Sequence, residues 1–178
     1  MDKNIKLTLA DSMQNFHLPR YDELPNVGLY LEQTVKYINQ CLHPLGCIEI
    51  TSSMIRNYVK QGLVTNPVQK LYYADHIGYL ICITILKQAA PLENIHKLFF
   101  RQKSVYSNQT AYDYFCTELE NVLYYCFGLK DSIDDVGATS SIEKEMLRSA
   151  ITAVSNMIYL NACFHQLHEK DETSSTQI

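Results

Sequence analysis

Apolar residues in this chain return at three- and four-residue steps in one segment after another, a spacing that commits most of it to amphipathic helices. Leu31, Val35, Ile38 and Leu42 mark a first helix, closed near His43-Pro44-Leu45-Gly46, and residues 52–61 make a second. A third begins at Ala74 or Asp75. Its Ile77, Leu80, Ile81, Ile83, Thr84 and Leu86 are nearly all apolar, as in a helix covered on several sides, and Pro91 marks its end. From Pro91 a fourth carries Ile95, Leu98 and Phe99 inward and Lys97 and Arg101 outward, where Lys97, Arg101 or Lys103 can either touch phosphate or simply be solvated. After a linker of Ser104, Ser107 and Asn108, a fifth helix repeats Ala111, Phe115, Leu119, Val122 and Cys126. A break over 128–141, in which Asp134-Asp135 reads as a solvated turn, precedes a sixth. There Met146, Ala150, Ala153, Met157, Leu160, Phe164 and Leu167 form one stripe, widened by Leu147, Ile151, Val154 and Ile158.

The second helix is the most informative locally. Thr51, Ser52 or Ser53 can cap its first turn with a side-chain oxygen, and Gly62 supplies a left-handed stop. Ile55, Tyr58 or Val59, and Leu63 then face a core, leaving Ser53, Arg56, Asn57 and Lys60 on the opposite side. Arg and Lys neutralise phosphate or read guanine, and Asn can pair bidentately with adenine, so these residue types suit a DNA-recognition helix. An ordinary solvated face has the same composition, and the helix alone does not separate the two. Downstream, Asn66-Pro67-Val68-Gln69-Lys70-Leu71-Tyr72-Tyr73 reads as a turn and short extended run leading into another helix.

In that order of elements the chain resembles the DNA-binding domain of the MerR transcription regulators. Ile55, Arg56, Tyr58, Gly62 and Leu63 match the recognition helix of that family, Lys70 and Tyr73 match its wing, and Leu92, Glu93 and Ile95 match a later element, while Asn57 and Asn94 depart from it. More closely, Leu18-Pro19-Arg20-Tyr21-Asp22-Glu23-Leu24-Pro25 with Ile50 to Val64 resembles the uncharacterised bacterial domain-of-unknown-function family 1836, over about residues 16–125. The resemblance implies a mainly α protein: a winged helix-turn-helix with a small β wing over 17–103 and a helical C-terminal region over 104–170 for dimerisation or an effector. A flexible N-terminus over 1–16 and a disordered tail over 171–178 complete the expected organisation. The wing is short, with Pro67 in place of a glycine-rich tip and Lys70 as its one base.

Composition narrows the function classes. Of the residues 47 % are hydrophobic, enough for a core, and the net charge of −4 argues against a bulk nucleic-acid coat. The charge is uneven, however. Residues 47–103 hold seven bases against three acids, and residues 104–178 hold eleven acids against four bases, which fits a DNA-reading half and a repelled half, or an acidic tail that keeps the protein soluble. With so few bases, two copies on adjacent half-sites make better physical sense than a monomer. No apolar run reaches the roughly twenty residues needed to span a bilayer, and Met1-Asp2-Lys3-Asn4 lacks a signal-peptide pattern, so a cytoplasmic location is expected. Six cysteines without a Cys-x-x-Cys pair are expected reduced, and neither Cys41/Cys47 nor His165/His168 has a diagnostic metal spacing. Tyrosines 106, 112, 114, 124, 125 and 159 make the C-terminal half aromatic; they fit core packing or a pocket for an apolar effector.

The expected function is therefore a dimeric, sequence-specific regulator of transcription that binds double-stranded DNA, without cofactor, metal or membrane. Ser53, Arg56, Asn57, Lys60, Lys70 and Tyr72 are the candidate DNA contacts, with Tyr58 and Tyr73 holding helix and wing together. The alternative is a protein-interaction module on the same scaffold. The sequence carries no phosphate loop, nucleophile elbow or His-Glu-x-x-His, and catalysis is not expected.

Overall fold

The computed structural model describes residues 3–46, 48–137 and 141–175. Its seven α-helices are α1 (Lys3–Met13), α2 (Leu31–Leu42), α3 (Ser52–Lys60), α4 (Ala74–Leu86), α5 (Leu92–Lys103), α6 (Asn108–Cys126) and α7 (Ile142–Ser175), with short 3-10 turns at Tyr21–Glu23 and His43–Leu45. The nearly all-apolar α4 is the centre of the molecule. Ile77, Leu80, Ile81, Ile83, Ile85 and Leu86 are buried, and α2, α5, α6 and α7 pack around them. The long pair α6 and α7 forms the largest helix contact, with Phe115, Leu119, Val122 and Leu123 meeting Ile151, Val154 and Ile158 in the same core.

Two findings depart from the sequence reading. Among the described residues there is no β-strand, only the isolated antiparallel bridges Leu29–Tyr72 and Val68–Leu71, so the expected winged helix-turn-helix with its β wing is not formed. The physical reason lies at Gln69 and Lys70. Both adopt positive φ, 51° and 68°, and Val68 and Leu71 exchange backbone hydrogen bonds of 2.9 and 3.0 Å around them. The chain thus reverses over two residues, as in a type I′ turn, but the pairing does not continue beyond it: Pro67 has no amide to donate, and Tyr72 exchanges its hydrogen bonds with Leu29 instead, two residues before α4 begins. Second, the N-terminal segment expected to be flexible carries α1, whose Ile5, Leu9 and Met13 are buried and which packs on α7. The α7 backbone is helical to Ser175; Cys47, the side chains of Glu169 to Glu172 and the end of the expected tail lie outside the described residues.

The N-terminal lead of the chain is clasped to α6 by ion pairing. Arg20 holds Glu120 with both guanidinium nitrogens, at 2.7 and 2.6 Å, and the Leu18 amide donates to the same carboxylate at 2.9 Å. Asp113 accepts from the Tyr21 amide at 2.8 Å, and the Tyr124 hydroxyl donates to the Phe16 carbonyl at 2.5 Å. The Leu-Pro-Arg-Tyr run is thereby a structural fastening between segments about a hundred residues apart.

Candidate functional site

Helix α3 is built by cap, face and stop. The Thr51 hydroxyl accepts from the Met54 amide at 3.3 Å, which selects Thr51 among the three possible caps. At the other end Gly62 takes φ 74°, its amide donates to Val59 at 3.0 Å and the Leu63 amide donates to Tyr58 at 3.0 Å, a Schellman stop that an L-residue at Gly62 would strain. Ile55, Tyr58 and Leu63 are buried while Ser53, Arg56, Asn57 and Lys60 are exposed, the division that the helical spacing predicts. Two ties hold the start of α3 against α2. Asn39 exchanges hydrogen bonds with the Ile50 backbone at 3.0 and 2.9 Å, and the Ser52 hydroxyl donates to Glu32 at 2.7 Å.

The 68–71 turn sits beside this helix because Leu29 and Tyr72 exchange backbone hydrogen bonds of 2.9 and 2.8 Å, tethering it to the start of α2. Lys70 is exposed at its tip. Tyr72, expected as a DNA contact, is instead only 5 % exposed; its ring stands edge-on to His76 at 5.7 Å, so it supports the turn from within. Burial raises the Tyr72 pKa, and the charge of Arg56 partly offsets that rise. Tyr73 is more exposed, and its ring lies across Gly28, where any Cβ would come within 2.9 Å of it.

Charge partners separate these residues from most other described bases, although Lys6, Lys36 and Lys87 are likewise outside any ion pair. Among the described residues, Arg56, Lys60 and Lys70 form no ion pair. Elsewhere Lys97 pairs with Glu93 at 2.7 Å, Arg101 with Glu143 at 2.6 Å, Lys130 with Asp134, and Arg148 with the fully buried Glu118. Lys103 lies over the Tyr79 ring at 4.6 Å. The second set of candidate phosphate contacts on α5 is therefore engaged within the molecule, and the α3 set faces solvent. Asn57 has one exposed contact, accepting from Gln61 at 3.2 Å.

Other chemistry is sparse. Cys41, Cys82, Cys116, Cys126 and Cys163 are free thiols, and among the described residues no three His, Cys, Asp or Glu side chains converge as a metal site. Likewise no described helix is long and apolar enough to cross a membrane. Sequence reasoning missed the clasp residues Arg20 and Glu120.

The class defined by these observations is a mainly helical protein with a basic, solvent-facing helix packed beside α2. The chain belongs to the family described as Domain of unknown function (DUF1836), which matches residues 19–115, more than half of its length. No curated protein and no solved structure matches it significantly.

Proposed function

We propose that this protein is a sequence-specific regulator of transcription that binds double-stranded DNA through α3 and the 68–71 turn, acting in the cytoplasm as a homodimer. The observation that carries this reading is the uncompensated face of Arg56, Asn57 and Lys60 with Lys70, in a molecule where most other described bases are paired or stacked internally. A base without a carboxylate partner can meet phosphate without first breaking an ion pair. Arg56 and Asn57 would reach base edges or position the helix, Lys60 and Lys70 would neutralise phosphates, and Ser53 would donate a hydrogen bond near the helix start. The likeness of Ile55, Arg56, Tyr58, Gly62 and Leu63 to the MerR recognition helix supports the same role for this helix alone.

A second copy is supported by α7. Met146, Ala150, Ala153, Met157, Leu160, Phe164 and Leu167 recur at alternating four- and three-residue steps, the a/d period of a coiled coil. Ala150 and Met157 of this stripe pack at the edge of the inward face formed by Ile151, Val154 and Ile158, while Met146, Leu160, Phe164 and Leu167 are about half exposed. Solution mass should be that of a dimer, and Leu160→Arg with Phe164→Arg should give a folded monomer; a wild-type monomer at high concentration would remove the dimer from the proposal.

Selection of bound sequences from a random duplex library tests the function directly. An enriched inverted repeat is expected, with Arg56→Ala plus Lys70→Ala together costing about 2–4 kcal/mol of binding at fixed salt. No enriched motif, with salt-insensitive binding to another protein, would favour the interaction-module reading instead.

A further inference from the structure

A cavity of about 280 Å³ opens between α4, α5, α6 and the start of α7, and none of its lining residues belongs to α3. Tyrosine dominates its wall, with Tyr21, Tyr79, Tyr106, Tyr112 and Tyr114 all lining the space. Tyr79 meets Phe99 edge to face at 5.3 Å, and Tyr112 meets Tyr21 the same way at 6.5 Å, so the rings brace one another. Close packing normally leaves few voids larger than a water molecule, and a cavity of this size is near the lower end of ligand pockets, roughly 300 Å³.

Three charged side chains line the cavity, and they are not equivalent. Glu143 is paired with Arg101 at 2.6 Å, and the Lys144 ammonium lies over the Tyr114 ring at 5.1 Å. Asp75 meets no base among the described residues. Its carboxylate accepts from the neutral Tyr21 hydroxyl at 2.6 Å, which leaves the charge uncancelled and further lone pairs open. Asp75 stands in the first turn of α4, where the helix dipole favours an anion without neutralising it, and it is exposed, so the carboxylate marks the mouth of the cavity. The tyrosines add to the same preference, because the face of an aromatic ring attracts a cation. Two rings of this wall already hold an ammonium of the chain itself: Tyr114 holds Lys144, and Tyr79 holds Lys103 at 4.6 Å. An anionic guest would meet Asp75 and these ring faces unfavourably, and a neutral one would leave the carboxylate unused.

We infer that this cavity binds a small organic cation, a primary ammonium carried on a flat apolar body, with the ammonium at Asp75 in the mouth and the body among the tyrosine rings. The rings supply apolar contact area. The charge-assisted hydrogen bond to Asp75 selects the ammonium over a neutral guest of the same shape. This assignment is independent of DNA binding by α3.

Three compounds of one shape and different charge, titrated calorimetrically into the full chain at neutral pH, test it: phenethylammonium, neutral 2-phenylethanol and anionic 3-phenylpropanoate. Phenethylammonium should bind saturably and about tenfold more tightly than the alcohol, with the carboxylate weakest of the three. Asp75→Asn keeps the size of the side chain and an acceptor for the Tyr21 hydroxyl while removing the charge. In that variant phenethylammonium should fall to the affinity of the alcohol, and the affinity of the alcohol should stay as it is in the wild type. Because Asp75 is exposed, the variant should fold, and its far-ultraviolet circular dichroism should match that of the wild type. Absence of saturable phenethylammonium binding would overturn the site. Equal or tighter binding of the alcohol or the carboxylate by the wild type, or undiminished phenethylammonium affinity in Asp75→Asn, would overturn recognition of the cation.

Discussion

Two regions of this molecule treat charge in opposite ways. Around α6, carboxylates and bases are spent on the fold: Glu120 clasps Arg20, Glu118 is fully buried against Arg148, and Asn121 accepts from Lys130 at 2.9 Å and from the Asp134 amide at 3.0 Å. Around α3, Arg56, Lys60 and Lys70 stand in water without an ion pair among the described residues. A base inside an ion pair stabilises the molecule that contains it, and an unpaired one on a rigid helix is available to something else. The difference therefore divides the chain into a charge-bonded frame and a charge-presenting face, and substitutions on the two sides should act on different observables.

The largest effect is expected in the frame. Glu120→Ala leaves the Arg20 guanidinium and the Leu18 amide without their acceptor, and should cost about 2–4 kcal/mol in urea unfolding. Arg56→Ala, its counterpart on the exposed face, should change folding stability by no more than about 0.5 kcal/mol while weakening DNA binding. Equal losses of stability at the two sites would break the division.

Alkaline pH should strain the frame gradually. Burial pushes the Cys116 thiol from its ordinary 9.0 up to about 12, and burial of Tyr79 and Tyr21, the latter also bonded to Asp75, raises both from 10.0 to about 12. The folded state then holds protons that the unfolded chain releases, so stability should be full below pH 9.0 and fall as pH rises toward about 12. Equilibrium unfolding in urea across that range checks the sign; a rise would contradict it.

A smaller effect isolates the presentation of α3. Thr51→Ala should cost about 1 kcal/mol through loss of the cap, and it should weaken DNA binding without altering the salt slope, since no phosphate contact is removed. Smallest of all, Lys70→Gly should raise folding stability, by up to about 1 kcal/mol, because glycine accepts the φ of 68° that lysine resists. DNA binding should fall with the same substitution. That opposition, better folding with poorer binding, would mark Lys70 as a residue kept in a strained turn for its charge.

How much of this was readable beforehand depends on the range of the interaction. The inward and outward faces of α3 and the burial of α4 follow from spacing within a few residues, and both were legible. The short α1 was not, because Ile5, Leu9 and Met13 are its only buried apolar positions and polar residues separate them. Val68 to Tyr73 misled: its composition suits an extended wing, but positive φ at two consecutive non-glycine residues cannot be seen in the letters. That same tight reversal turns Tyr72 inward rather than toward a partner. Nor could any local pattern join Arg20 to Glu120 across about a hundred residues.

The most direct test of the charge-presenting face is the salt dependence of affinity for a selected duplex, measured for the wild type and for Arg56→Ala/Lys60→Ala/Lys70→Ala. Each phosphate contact contributes about 0.9 to the slope of log affinity against log salt, so the account predicts a steep wild-type slope that becomes shallower by about two to three per bound protomer. An unchanged slope and affinity in the triple variant would contradict it.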